Sequence, residues 1–257
     1  MNMQQQYSAL STIVIKEILR FMRIWVQTVV PAAITMALYF IIFGELIGSQ
    51  ISAIDGFSYM EYIVPGIILM AVINNAYANV VSSFYGAKFQ RHVEEMLVSP
   101  MPNYLIIAGF VAGGVARGLV VGVVVTLIAM FFTDFHVHDY IVAISVVILT
   151  AILFSLAGFI NAIYANSFDD ISIIPTFVLT PLTYLGGIFY SIEMLPEFWQ
   201  DVSLVNPILY MINAFRYGLL GISDIPMTTA FSIIILFTIG LYIFCSYLLQ
   251  KGTGIRS

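Results

Sequence analysis

Only three lysines occur in the 257 residues, Lys16, Lys88 and Lys251, followed by Glu17, Phe89 and Gly252. A loop that cradles nucleotide phosphates needs G-x-x-x-x-G-K-[ST], and none of these lysines stands in that setting. Any ATP energy must therefore arrive through another polypeptide. His136 and His138, with Asp134 and Asp139, could imitate a metal site, but without further ligands a solvated loop is the better reading. No Ser/His/Asp or metal constellation supports a membrane enzyme, and no cofactor is expected. The single cysteine, Cys245, lies in an apolar run and reads as a small core hydrophobe, which leaves no intrachain disulfide.

The polar residues inside apolar runs are more informative. Asn75, Asn79 and Ser82 recur at i, i+4 and i+7, beside Asn74 and Ser83, so one helical face carries amides. Such a face is costly in lipid and must meet protein or a water-filled path; helix packing and path lining stand about even. Gly114, Gly118 and Gly122 form consecutive G-x-x-x-G steps suited to close helix packing. Arg117 beside them is an intramembrane charge that needs a carboxylate, a carbonyl or an escape to the cytoplasmic face. Every Asp and Glu falls in a loop or near the end of a predicted span, which weakens an ion-coupled carrier; Glu45, Glu61 and the Asp169-Asp170 pair keep that alternative open.

The elements that must position these groups are membrane helices. Hydrophobic residues make up 61% and charged residues 9% of the chain, and mean hydropathy is +1.00. Apolar runs of about 20 residues are long enough to cross ~30 Å of hydrocarbon as helix. Six spans are predicted, at about 24–44, 60–84, 104–132, 140–164, 171–191 and 228–249. The first is too long for a signal-peptide core and reads as a retained span. Lys16, Arg20 and Arg23 before span one, Lys88 and Arg91 after span two, and Lys251 and Arg256 at the end place both termini in the cytoplasm. Residues 205–222 are also apolar, but they contain Pro207 and Arg216 and would break this parity, so 192–227 reads as an outer-side re-entrant or surface-lying hairpin. The net charge of -5 is spread over loops and suggests no nucleic-acid partner.

Residues 1–23 form an arm in which Leu10, Ile13, Val14, Ile18 and Phe21 mix with Lys16, Glu17, Arg20 and Arg23. It reads as an interfacial helix parallel to the membrane. In the 86–103 loop, Phe89, Val93, Met96 and Leu97 are spaced as one apolar helical face among Lys88, Arg91, Glu94 and Glu95, until Pro100 and Pro102 stop it. That helix either lies on lipid or docks a soluble partner, and docking fits the missing ATPase better. Span five carries Pro175, Pro181, Gly186 and Gly187, a pattern for a hinge or a static kink. The whole is one membrane domain, 1–257, of the all-α class: six transmembrane helices, an amphipathic arm and a re-entrant helical hairpin between spans five and six.

These pieces resemble the ABC-2 family of bacterial export permeases. The stretch TPLTYLGGIFYSIEMLPEFWQDVSLVNPILYMINAFRYGLLG is similar to that family's signature, with Asn206-Pro207, Tyr210 and Arg216. The resemblance implies an inner-membrane half-transporter that forms a homodimer and binds two separate ABC-type ATP-binding subunits. It places ATPase coupling at Lys88, Arg91, Glu94 and Glu95, with Glu17 and Arg20 as a second contact. It places the translocation path on spans two and five, at Asn75, Asn79, Ser82, Thr180 and Tyr184. Pro207, Tyr210 and Arg216 would hold the hairpin's shape. Export of an amphiphilic, lipid-like, glycan-linked or drug-like cargo follows from the resemblance, with an ion-coupled secondary transporter or channel as the alternative.

Overall fold

The computed structural model describes residues 1–134, 136–252 and 254; Arg256, counted above among the basic residues, lies outside them. The described residues fold as helices: α1 (Met3–Arg23), α2 (Trp25–Thr28), α3 (Val30–Tyr39), α4 (Tyr59–Phe89), α5 (His92–Val98), α6 (Asn103–Ala129), α7 (Tyr140–Tyr164), α8 (Asp170–Ile174), α9 (Thr180–Tyr184), α10 (Glu197–Leu204), α11 (Pro207–Leu220) and α12 (Met227–Lys251). The π-helical segments Phe40–Ile47 and Pro175–Leu179 prolong α3 and join α8 to α9.

Local chemistry sets the helix starts. Ser58 and Glu61 form a reciprocal capping box on α4, Asn2 and Gln5 do the same on α1, and Asp139 caps α7 through the amides of Ile141 and Val142. Ahead of α4, Asp55 and Gly56 both have positive φ between the mutually bonded Ile54 and Phe57, the backbone of a tight hairpin turn.

Among the described residues, five helical stretches are long and apolar enough to cross a membrane: Trp25–Gln50, Tyr59–Phe89, Asn103–Ala129, Tyr140–Tyr164 and Met227–Lys251. The expected sixth, 171–191, is helical only from 170 to 184, where it reaches about 22 Å at 1.5 Å per residue. Pro175 and Pro181 break its hydrogen-bond ladder, and the Thr180 hydroxyl donates to Pro175 O at 2.9 Å, bonding a carbonyl at the π turn.

α4 forms the axis of the bundle. Its apolar stretch is 89% buried, against 17% for Trp25–Gln50 and 22% for α12, so α6, α7 and α11 pack around α4 while the outer helices turn their sides to lipid. Lipid supplies no hydrophobic drive between helices, so close packing depends on small residues. A Cβ on Gly114 would lie 3.0 Å from Ala76 O and 2.5 Å from Val80 Cγ2, and one on Gly118 would lie 3.2 Å from Ala76 Cβ; this glycine ridge is the α6 face against α4. Gly158 of α7 meets the Tyr77 backbone in the same way. α11 lies among α4, α7 and α12, and Gly221, at φ +78°, ends it.

Candidate functional site

A second glycine step on α6, Gly109 and Gly113, seats the arm. A Cβ on Gly109 would strike Ile13, and one on Gly113 would strike Glu17. Tyr104 Oη donates to Gln6 Oε1 at 2.9 Å, so contacts climb together along both helices, from Gln6 to Glu17 and from Tyr104 to Gly113. α1 therefore runs lengthwise beside α6 over several turns. One face of the arm is thus docked on α6. The buried stripe is Ile13, Glu17 and Phe21.

Glu17 and Arg20, expected to face an ATPase, point into the protein. Glu17 is fully buried; Oε2 lies 3.3 Å from Arg20 Nε and Oε1 lies 3.5 Å from Lys16 Nζ. Arg20 Nη2 donates to Asn79 O at 2.9 Å and to Asn79 Oδ1 at 2.7 Å. One turn away on α4, Arg117 Nη2 donates to Asn75 Oδ1 at 2.9 Å, and Asn75 Nδ2 donates to Ala71 O. Arg117 thus takes a side-chain amide as its partner, an option absent from the sequence expectation. Asn75 and Asn79 are both buried, and their face of α4 is packed against α1 and α6 within the protomer.

The uncovered stripe of α4 lies beside that face. Asn74 is exposed and Ala78, Ser82 and Gly86 are half-buried, at steps of four residues along a helix otherwise almost wholly buried. Of the expected path residues, Ser82 stays on this stripe, with its hydroxyl on Ala78 O. Thr180 and Tyr184 are exposed, and Tyr184 Oη lies 2.8 Å from Tyr39 Oη, joining the segments beside the two π turns. The i, i+4, i+7 pattern in the sequence favours Asn75 over the adjacent Asn74, which is the exposed one, and the Gly109-Gly113 spacing is a further G-x-x-x-G step.

The 86–103 loop divides in two. Lys88 turns inward, its Nζ donating to Ile163 O and Ala165 O at 2.7 Å each, which ties the end of α4 to the end of α7. Phe89 ends α4 and sits against Tyr85 and Phe168, so it does not share the apolar face of Val93, Met96 and Leu97. The helix breaks at Arg91, whose φ of +62° is left-handed. Beyond the break, Val93 of α5 is buried, Arg91 and Glu95 are exposed and Glu94 is half-buried. Between α5 and α1 lies an open groove of about 420 Å³ lined by Gln5, Ser8, Thr12, Met96 and Met101.

The hairpin is held by its own polar residues. Pro207 opens α11, and Asn206 both caps Ile208 N and donates to Leu182 O at 2.6 Å. Tyr210 Oη donates to Leu204 O at 2.7 Å, closing the turn between α10 and α11. Arg216 is fully buried, donates to Gly187 O at 2.6 Å and stacks over the Tyr62 ring at 3.9 Å. Asn213 and Asp224, unmarked in the sequence, extend this knot: Asp224 N donates to Asn213 Oδ1, and Asp224 Oδ2 accepts from Ser191. Elsewhere, His136 contacts Asp134 O and His138 packs edge-on to Tyr217, with Gly221 beneath it. Cys245 is buried, with Sγ 3.6 Å from Leu156 O.

Residues 8–220 match the sequence family described as ABC-2 type transporter. The chain is 60% identical over 255 residues, 99% of its length and all of the relative's, to the inner membrane transport permease YadH of Escherichia coli strain K12, and equally so to the Shigella flexneri protein of that name. It is 22% identical over 179 residues, 69% of each chain, to nodulation protein J of Rhizobium leguminosarum bv. viciae.

Proposed function

The chain belongs to the ABC-2 type transporter family and is a multi-pass membrane transport subunit, and from that premise we propose that it is the permease half of an ATP-driven exporter of the bacterial inner membrane. Two copies pair, separate ABC-type ATP-binding subunits dock on the cytoplasmic side, and an amphiphilic cargo leaves the cytoplasm or inner leaflet. Both termini are cytoplasmic, residues 170–184 act as a short sixth span, and α10 with α11 dips into the membrane from the outer side.

One observation carries the reading: the arm is bonded to the axial helix. Arg20 grips Asn79, and Ile13 and Glu17 seat in the Gly109-Gly113 step, so a push on α1 from a docked subunit reaches α4 without passing through a flexible link. The docking surface is the exposed part of α5, with Arg91 and Glu95, and the 420 Å³ groove beside α1. Glu17 and Arg20 transmit the motion, and Lys88 anchors the end of α4, just ahead of α5, to the end of α7. The path is lined by Asn74, Ala78 and Ser82 of α4 with Thr180 and Tyr184, in place of Asn75 and Asn79.

The test is co-purification with an ABC-type ATP-binding subunit co-expressed from the same genome. Arg91→Glu with Glu95→Arg should abolish association, whereas Arg20→Ala should leave association intact and uncouple ATP hydrolysis from transport. Unchanged association in the charge-reversed pair would sink the docking claim. An ion-coupled carrier instead predicts transport by the chain alone under an ion gradient. Glu17, the buried carboxylate that could serve it, already faces two cations.

A further inference from the structure

The polar ladder between α1, α4 and α6 is short of negative charge: the half-buried Arg20 and Arg117 stand against one buried carboxylate, Glu17, which lies 3.3 Å from Arg20 Nε and also meets the exposed Lys16. Arg117 makes a single hydrogen bond among the described residues, to a neutral amide. Its Nε is buried without an acceptor, as is Nδ2 of the fully buried Asn79. A guanidinium held in this way inside a membrane protein is costly, and an arriving anion would offset that cost.

The arrangement also selects the kind of anion. Arg20 and Arg117 hang from Asn79 and Asn75, one turn or about 6 Å apart along α4. Each uses its Nη2 on α4, which leaves an Nη1 on each without an acceptor among the described residues. Two guanidinium edges at that spacing suit a tetrahedral oxyanion, whose several oxygens can take both, better than a single planar carboxylate. The cluster borders the proposed path. At about 100° per residue, Asn74, Ala78 and Ser82 drift about 80° around α4 and end within about 20° of the azimuth of Asn75. The neighbouring start of the first span exposes Ile24, Trp25 and Val26, an apolar surface that suits acyl chains better than a free ion.

We propose that Arg20 and Arg117 bind the phosphate headgroup of an anionic amphiphile entering from the inner leaflet, and so select the cargo of the exporter. This rests on the assignment of the α4 stripe as the path. The sparse charge along the spans is then no bar to an ionic cargo, because the charge needed is concentrated at the entrance.

The test uses the purified full-length chain in neutral detergent and three probes: dioctanoyl phosphatidic acid, dioctanoyl phosphatidylcholine and inorganic phosphate. Phosphatidic acid should bind by calorimetry more tightly than phosphatidylcholine, and Arg117→Gln should weaken it by ~10- to 100-fold, as loss of a charge-assisted bond implies. Arg117→Lys should stay within roughly threefold on the same scale. Inorganic phosphate at equal concentration should compete weakly; full competition would overturn the amphiphile in favour of the free ion. Equal binding of the two lipids, or phosphatidic acid binding unchanged in a folded Arg117→Gln protein, overturns the site. If Arg117→Gln fails to fold, the lipid preference of the unmodified chain decides. Hydrolysis by an added ATP-binding subunit, measured on the unmodified chain, separates the two ideas: absence of coupled hydrolysis sinks the exporter, and absence of a lipid preference with coupling intact sinks only the headgroup site.

Discussion

At the scale of single residues, Arg216 is held on several sides. It is fully buried, bonded to Gly187 O and stacked on Tyr62, while Nε and Nη1 have no acceptor among the described residues. Arg216→Ala removes the donor to a buried carbonyl and should cost about 2–3 kcal/mol, read as a lower melting temperature in detergent. Arg216→Lys should recover little, because an ammonium cannot reproduce a planar group stacked on the ring and bonded in one direction. The Arg20–Asn79 contact lends itself to a double-mutant cycle. Arg20→Ala and Asn79→Ala should show a coupling energy of about 1–3 kcal/mol, and additive effects would mean that α1 and α4 are not joined there.

At the scale of elements, glycines decide which helices touch. Gly114 has Val80, Ser155 and the Ala76 carbonyl against it, whereas Gly240 on α12 has open space within 4 Å. Gly114→Leu should push α6 from α4 and cost several kcal/mol, about 3 or more by analogy with overpacked cores, while Gly240→Leu should leave thermal stability unchanged. A helix cap gives a smaller, calibrating effect: Ser58→Ala loses the α4 capping box and should cost about 1 kcal/mol. Arg91, at φ +62°, tests strain against docking. Arg91→Gly should stabilise the turn by up to about 1 kcal/mol, and it should weaken ATP-binding subunit association if the side chain docks there.

At the scale of the whole molecule, the uncovered stripe of α4 predicts where water and a second copy can reach. The single native cysteine is buried, so introduced cysteines can be labelled against a quiet background. Asn74→Cys and Ser82→Cys should react with a water-soluble maleimide, and Asn79→Cys should not. Oxidation should cross-link Asn74→Cys between two copies if the stripes face each other at a dimer axis. Much of this architecture was written in the sequence. Five of the six expected spans were legible because lipid admits only long apolar helices, and the Gly114, Gly118 and Gly122 ridge because spacing alone puts small residues on one face. The missing phosphate loop was equally plain. The sequence could not say which way a face turned. Asn75 and Asn79 differ from Asn74 by a fraction of a turn, and only packing against α1 and α6 buried the first two and left the third open. It likewise could not tell that Lys88, Glu17 and Arg20 point inward, because a charge is buried only where carbonyls, amides or a counter-charge from distant segments converge on it. Those partners, Ile163, Ala165 and Asn79, lie 59 to 77 residues away in the chain and become neighbours only in the folded bundle.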